Sequence, residues 1–373
     1  MISLLLIACT PPAYNELFND VDVTIAPEAA TVSDAFVDAI TGADDSLHIA
    51  LPAGEDTAVT DAIIAAWDRG LRVEVVTDID RRDDPGIAAL VDTGVPTTLA
   101  DDGLLYFEFT VNRDVQWDSA QTVMSHAYIV ADALRITTAS SAGDLQTGPR
   151  VLLQLRGETI VEDLLTEHNQ LFGGIDATSV TAFDSPAKSI ADSRWSYPLA
   201  KDAGLEMWFG PQERLTKRVI DAVYGARSAV WILTDELANQ GLAAALEEKA
   251  GWGFDVKVAV GPRFASTSPG LAQTLLDDTP NVDKVQVTSV DQLPTVVLID
   301  LPPDAEGYAP MAKGMVITHS LVSSSRLYGG ETVITDQLID GALWVLTDTS
   351  NARTELLPLD ALFRDYFDAG EPL

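Results

Sequence analysis

Residues Met124 to Ser141 read MSHAYIVADALRITTASS, an apolar run, an aspartate at position 132, and a second run rich in β-branched residues. That pattern predicts a β-strand ending near Asp132 and a further strand segment a turn later. Counting back from Asp132 puts Ser125 and Ala127 on the strand, and Ala139-Ser140-Ser141-Ala142 closes the segment. Leu293 to Asp300, LPTVVLID, repeats the outline: Leu293 and Thr295 replace Ser125 and Ala127, and Asp300 replaces Asp132. Past an inserted loop, Pro302–Ala312, Met315 to Ser325 (MVITHSLVSSS) brings His319 and Ser320 to the places of Ala139 and Ser140.

The likeness extends along the chain. Val21–Pro27 (VDVTIAP) matches Leu205–Pro211 (LEMWFGP), Val37–Ala43 matches Ile220–Ala226, and LHIAL from Leu47 matches VWILT from Val230. GLRVEVVTD from Gly70 matches GFDVKVAVG from Gly253, and Pro85–Ala88 matches Pro269–Ala272, at a steady offset of 183 or 184 residues. A period of that length means two duplicated domains and not a solenoid. Short apolar strands alternate with helical stretches, so each copy reads as an α/β sheet. Asp61–Trp67 and Leu242–Lys249 are predicted helices in the two copies, and Gly157–Phe172 and Leu356–Phe367 are the amphipathic helices that close them. The Ser-, Asp- and Pro-containing stretch Gly173–Gly204 reads as the connection.

Two such copies, each giving an Asp-ended strand to a shared cleft, resemble the phospholipase D superfamily. Its members carry His-x-Lys-x4-Asp on that strand and Gly-Ser-x-Asn a turn later. The resemblance covers nearly everything after residue 20. It implies an α/β protein of two tandem phospholipase D-like α/β/α lobes packed face to face as a pseudo-dimer. The domains would be residues 1–20 as signal and tether, 21–175 as the first lobe, 176–203 as linker, and 204–373 as the second lobe. Positions 125 and 293 would then be the His places and 127 and 295 the Lys places, with Ser140 and Ser320 the surviving serines.

Active members use one His to attack phosphorus, the other to protonate the leaving group, and two Lys to hold the phosphoryl oxygens. Phosphodiester transfer needs a nucleophile with an accessible lone pair, an acid poised near neutral pH, and cations for the developing charge. Ser125 without an adjacent base is a poor nucleophile, Leu293 is none, and Ala127 and Thr295 carry no charge. His126 does not restore the motif, because strand side chains alternate and a one-residue slip turns it from the cleft. Lysine supply agrees: the first Lys of the chain is Lys188, and Lys313 fits no motif. Arg135 and Arg150 read as solvated loop charges. His319 is the one candidate for rescue, placed by alignment at the cleft floor, where a structural histidine is the plainer reading. The residues therefore favour a catalytically inactive binding or scaffolding protein. The alternative is a phosphodiesterase or phosphatidyl transferase with groups relocated around His319, Ser125, Asp132 and Asp300.

Composition adds bounds. The 373 residues carry 57 acidic against 23 basic side chains, a formal charge of −34, and the pI is about 4.1. That surface repels nucleic acid and anionic lipid at long range, so no nucleic-acid partner is expected. A salty habitat, in which self-repulsion is screened, accounts for it most simply. The single cysteine, Cys9, excludes an intrachain disulfide and a zinc–thiolate cluster. Leu6-Ile7-Ala8-Cys9 ends a short apolar run and resembles a bacterial lipobox. It implies lipidation at Cys9, membrane attachment through that lipid, and export to the periplasm or outer membrane. No other apolar run reaches the roughly 18 residues that span a bilayer. Asp78-x-Asp80 carries at most a weak hint of an aspartyl nucleophile or cation site, Asp101-Asp102 reads as a turn, and Tyr106, Phe107, Phe109 and Trp117 read as packing. No Gly-rich phosphate loop, nucleophile elbow or His-Glu-x-x-His is present, so no cofactor or metal is expected.

Overall fold

Successive side chains of a strand point to opposite faces of its sheet, and here the central strands are apolar and buried on both faces. A computed structural model describes residues 20–26, 29–54, 56–78, 81–100, 123–140, 148–172, 197–199, 203–210, 213–237, 239–262, 279, 281–301, 311–319, 321, 324–328, 331–335, 339–348 and 356–373. Cys9, Asp80, Asp101, Asp102, Tyr106, Phe107, Phe109, Trp117, Ser141, Ala142 and Ser320 lie outside the described residues.

The first lobe runs β1 (Asp20–Ala26), α1 (Ala29–Thr41), β2 (Ser46–Leu51), α2 (Thr57–Asp68), β3 (Arg72–Asp78), α3 (Pro85–Thr93), β4 (Thr97–Ala100), β5 (Val123–Met124), β6 (Tyr128–Ala131), β7 (Arg135–Ala139), β8 (Arg150–Arg156) and α4 (Glu158–Phe172). The second runs β9 (Tyr197–Pro198), β10 (Ala203–Phe209), α5 (Leu215–Gly225), β11 (Ala229–Thr234), α6 (Gln240–Gly251), β12 (Asp255–Val260), β13 (Val282–Gln286), β14 (Thr295–Ile299), β15 (Ala312–Ile317), β16 (Ser324–Tyr328), β17 (Glu331–Thr335), β18 (Ile339–Asp340), β19 (Ala342–Asp348), α7 (Leu357–Ala369) and β20 (Glu371–Pro372).

The first sheet has the order β1-β8-β7-β6-β2-β3-β4, and the second carries the same sequence of partners as β10-β19-β15-β14-β11-β12-β13, with β9 and β20 added at its edges. In both, the run β2-β3-β4 or β11-β12-β13 is parallel and the remaining neighbours are antiparallel. The duplicated sequence is a duplicated sheet.

Alternation then builds the layers. On β6, Tyr128 and Val130 face inward while Ile129 and Ala131 face α1 and α2. On β14, Val296 and Leu298 face inward while Val297 and Ile299 face α5 and α6. The inward faces of both sheets share one continuous core with α4 and α7, which contribute Leu164, Phe172, Leu359 and Phe363. From outside to outside, the molecule is helix, sheet, central helices, sheet, helix. The lobes are also joined by backbone, since β5 pairs with β18 in parallel (Ile339↔Val123, Asp340↔Met124).

Candidate functional site

The aspartates that end β6 and β14 have one structural task, and the sequence explains it. Asp132 and Asp300 sit at φ 55° and 54°, in the left-handed region that Asp tolerates better than most residues. Asp132 Oδ1 accepts from the backbone N–H groups of Asp44, Asp45 and Ser46 at 3.0, 2.8 and 3.3 Å. Asp300 Oδ1 accepts from those of Arg227, Ser228 and Ala229 at 3.0, 2.7 and 3.1 Å, and from the Ser228 hydroxyl at 2.9 Å. Each carboxylate closes the loop that leads into β2 or β11. Burial alone would raise the Asp132 carboxyl, but the amides of Asp45, Ser46 and Asp44 and the Arg135 guanidinium outweigh it and hold its pKa below the ordinary value.

At the other end of these strands the lobes meet in a seam. Ser125 lies between β5 and β6, and its Oγ is 3.0 Å from Oγ1 of Thr318, which follows β15. Thr318 Oγ1 also accepts from Ala342 N–H at 2.8 Å. Gly341 faces both hydroxyls. A Cβ there would stand 2.5 Å from Ser125 Oγ, 2.7 Å from Thr318 Oγ1 and 3.0 Å from His319 Cδ2. Nearby, Arg150 donates from Nη2 to Gln292 Oε1 at 3.1 Å across the seam. Gly148, at φ 70°, lets the Gln292 carbonyl approach to within 2.6 Å of its missing Cβ. Ser125, Arg150, Gln292, Leu293 and Thr318 are all buried.

The ladder corrects the sequence alignment in four places. Ser140 N–H donates to Val151 O while Val151 N–H donates to Ser140 Oγ, and Thr318 repeats both bonds with Ala342. The second-lobe partner of Ser140 is therefore Thr318, and His319 is one place further on, not at the position of Ala139. Next, Ala127 packs in the outer core of the first lobe, and Thr295 bonds Thr234 at 3.1 Å on the outward register of β14. Neither expected Lys place opens on the seam. His126, expected to face away, turns inward. It shares the face of Tyr128, two residues on, and lies 6.1 Å from the Phe209 ring of the second lobe. Finally, neither Arg135 nor Arg150 is a loop charge without a partner: both begin strands, Arg135 partly exposed and Arg150 buried. Arg135 bonds Asp132 Oδ2 and the Gly42 carbonyl, both at 2.9 Å, and Arg150 is 1% exposed.

Sequence reasoning missed a buried polar chain beside the seam. His48 Nε2 and His168 Nε2 lie 3.6 and 3.8 Å from Glu74 Oε2. The Tyr128 hydroxyl lies 3.2 Å from His168 Nδ1, and His126 Nε2 is 3.4 Å from Glu167 Oε1. Burial pushes the His168 pKa well below its ordinary value, assisted by His48, Arg72 and His126. Burial also lowers that of His48, with Glu74 opposing and Arg72 assisting. The available signal was the placement of polar residues at inward positions of otherwise apolar elements, as in LHIAL. Among the described residues no group of three or more His, Cys, Asp or Glu could hold a metal ion, and no helix is long and apolar enough to cross a membrane.

No family model matches the sequence, and no curated protein matches it. Solved structures do. Phosphatidylserine synthase from Haemophilus influenzae is similar with a TM-score of 0.62 at 10% identity, over 94% of this chain and 87% of that one. Polyphosphate kinase from Porphyromonas gingivalis is similar with a TM-score of 0.57 at 10% identity, over 92% of this chain and 46% of that one. At that identity the likeness speaks for the fold. This chain has the two-lobed α/β fold expected from its sequence and shares that fold with these two structures.

Proposed function

We propose that this is a phospholipase D-fold protein whose seam no longer catalyses, and which serves as a binding or scaffolding protein. The apolar run ending at Cys9 supports a lipid-anchored place in a bacterial envelope; membrane fractionation of Cys9→Ser, expected to release the protein, tests that anchor. The observation that carries the inert reading is Gly341. A single methyl group there would meet Ser125 Oγ at 2.5 Å and Thr318 Oγ1 at 2.7 Å, so this point of the seam is filled by the lobes themselves. Asp132 and Asp300, the residues kept from both motifs, are occupied with backbone amides.

One observation favours the alternative of a phosphodiesterase or phosphatidyl transferase. Ser125 Oγ and His319 Cδ2 both lie within 3.0 Å of the same point at Gly341. The two readings part in one assay, hydrolysis of bis-p-nitrophenyl phosphate and of phospholipid vesicles by the purified chain. The expected result is no turnover above buffer. Turnover that His319→Ala abolishes would establish the enzyme instead.

A further inference from the structure

A groove runs along the outer face of the second sheet beneath α5. The duplicated lobe supplies its own control, because the same groove runs beneath α1 of the first lobe. Their volumes are about 620 and 700 Å³, within the roughly 300–1,000 Å³ typical of small-ligand sites. Structural equivalence is fixed by hydrogen bonds. Asp44 N–H and Arg227 N–H make the same bond to Asp132 and Asp300, so Arg227 stands where the first lobe has an aspartate. Through the repeat, Arg218 stands where the first lobe has Ala35, Trp208 where it has Thr24, and Met315 where it has Thr137.

These exchanges give the second groove a charged wall and an apolar floor. Trp208, Ile299, Met315 and Val345 form the floor and are buried. The Arg218 guanidinium carbon lies 3.7 Å from the centre of the Trp208 ring, a stacking that holds the side chain in place and leaves its N–H edge free for another acceptor. Lys313 is paired with Glu206 at 3.7 Å. Neither Arg218 nor Arg227 has a carboxylate partner for its guanidinium among the described residues. In a chain with 57 carboxylates and 23 cations, two such arginines in one concavity are conspicuous. The second groove's own carboxylates are engaged, Glu206 with Lys313 and the Trp208 indole, Asp221 with Lys217 and Asp300 with backbone amides, whereas the first groove sets Asp20, Asp22, Asp34 and Asp38 against Arg135 and Arg156.

We infer that the second-lobe groove binds a small organic anion with an apolar body, its acidic head between Arg218 and Arg227 and its body over Met311, Met315, Ile299 and Val345 beside the Arg218–Trp208 stack. This site stands apart from the seam, so it does not depend on whether the seam catalyses. The test uses the full chain in about 0.15 M salt, where the long-range repulsion of a negative protein is screened, with the amphiphilic anion 1-anilinonaphthalene-8-sulfonate as fluorescent probe. Saturable binding is expected, displaced by octanoate. It should weaken at least tenfold in Arg218→Ala/Arg227→Ala and stay unchanged in Arg156→Ala, a cation lining the first groove. The uncharged N-phenyl-1-naphthylamine should bind at least tenfold more weakly. Absence of saturable binding would overturn the site, as would equal affinity in the double variant or equal affinity for the uncharged probe. Should the double variant fold poorly, Arg227→Ala alone decides, since its side chain is exposed and its structural bond is made by the backbone.

Discussion

The two lobes share one ladder and fill its central layer with opposite chemistry. In the first, His48 on β2 meets His168 on α4 with rings 5.3 Å apart, and His168 stacks on Phe172 at 5.9 Å. In the second, Trp231 on β11 meets Phe363 on α7 at 5.1 Å, and Phe363 stacks on Phe367 at 5.4 Å. The flanking charges are exchanged as well. Arg72 bonds Glu74 on β3, whereas on β12 Lys257 bonds Asp255. Glu74 accompanies two imidazoles; Lys257 and Arg364 lie 4.6 and 4.7 Å from the Trp231 ring. Each set is consistent within itself, a carboxylate for groups that can gain a proton and cations for the face of a π system. The fold asks for volume and a ring at these positions and leaves the choice of proton chemistry open.

What the lobes hold in common should be costlier to lose than what they vary. The loop-closing aspartate is the sharpest case, and burial separates its two copies. Asp300 is buried, while Asp132 is only partly buried and shares its charge with Arg135. In Asp300→Ala three amides and a hydroxyl lose their acceptor with little access to water, a loss of about 3 kcal/mol or more. In Asp132→Ala water can reach the amides, and about 1–2 kcal/mol is expected. Urea unfolding at pH 7.5 measures both. Equal midpoints would break the claim that the second lobe relies more heavily on its cap.

The sequence made the repeat, the order of strands and helices and both aspartates legible, because these rest on local apolar period and on one residue type at fixed spacing. The facing of the seam residues was not legible. Ser125, His126 and Ala127 lie between β5 and β6, outside any ladder, so parity had to be counted from a strand whose start the sequence does not mark. Taking the cleft face from the motif, with Ser125 at the His place, turned His126 outward, whereas the inward Tyr128 and Val130 set the opposite parity. The match of Thr318 to Ser140 was missed for a related reason: a serine two residues on agrees in type, and only backbone hydrogen bonds reveal which hydroxyl has the same task. The chain of His48, Glu74, His168 and Tyr128 joins four elements remote in sequence, with no short motif to announce it.

That chain gives the smallest effect expected and the one most specific to the comparison. His168 is buried on α4 and faces His48 from β2, Glu74 and Arg72 from β3, and Tyr128 and His126 from β6 and its approach. Burial holds both His48 and His168 below the ordinary value of 6.5. As pH falls through that value the unfolded chain takes up protons that the folded chain refuses, so stability is lost on the acid side and fully present above it. For one strongly lowered histidine the loss reaches at most about 2 kcal/mol at pH 5. His168→Phe places in the first lobe the ring type that Phe363 provides in the second. It leaves the Tyr128 hydroxyl without its imidazole partner, a cost of about 1 kcal/mol at every pH. It should also shrink the difference between the urea midpoints at pH 7.5 and pH 5. An unchanged difference would mean that His168 titrates alike in the folded and unfolded chain, and that the polar layer of the first lobe is no more sensitive to protons than the aromatic layer of the second.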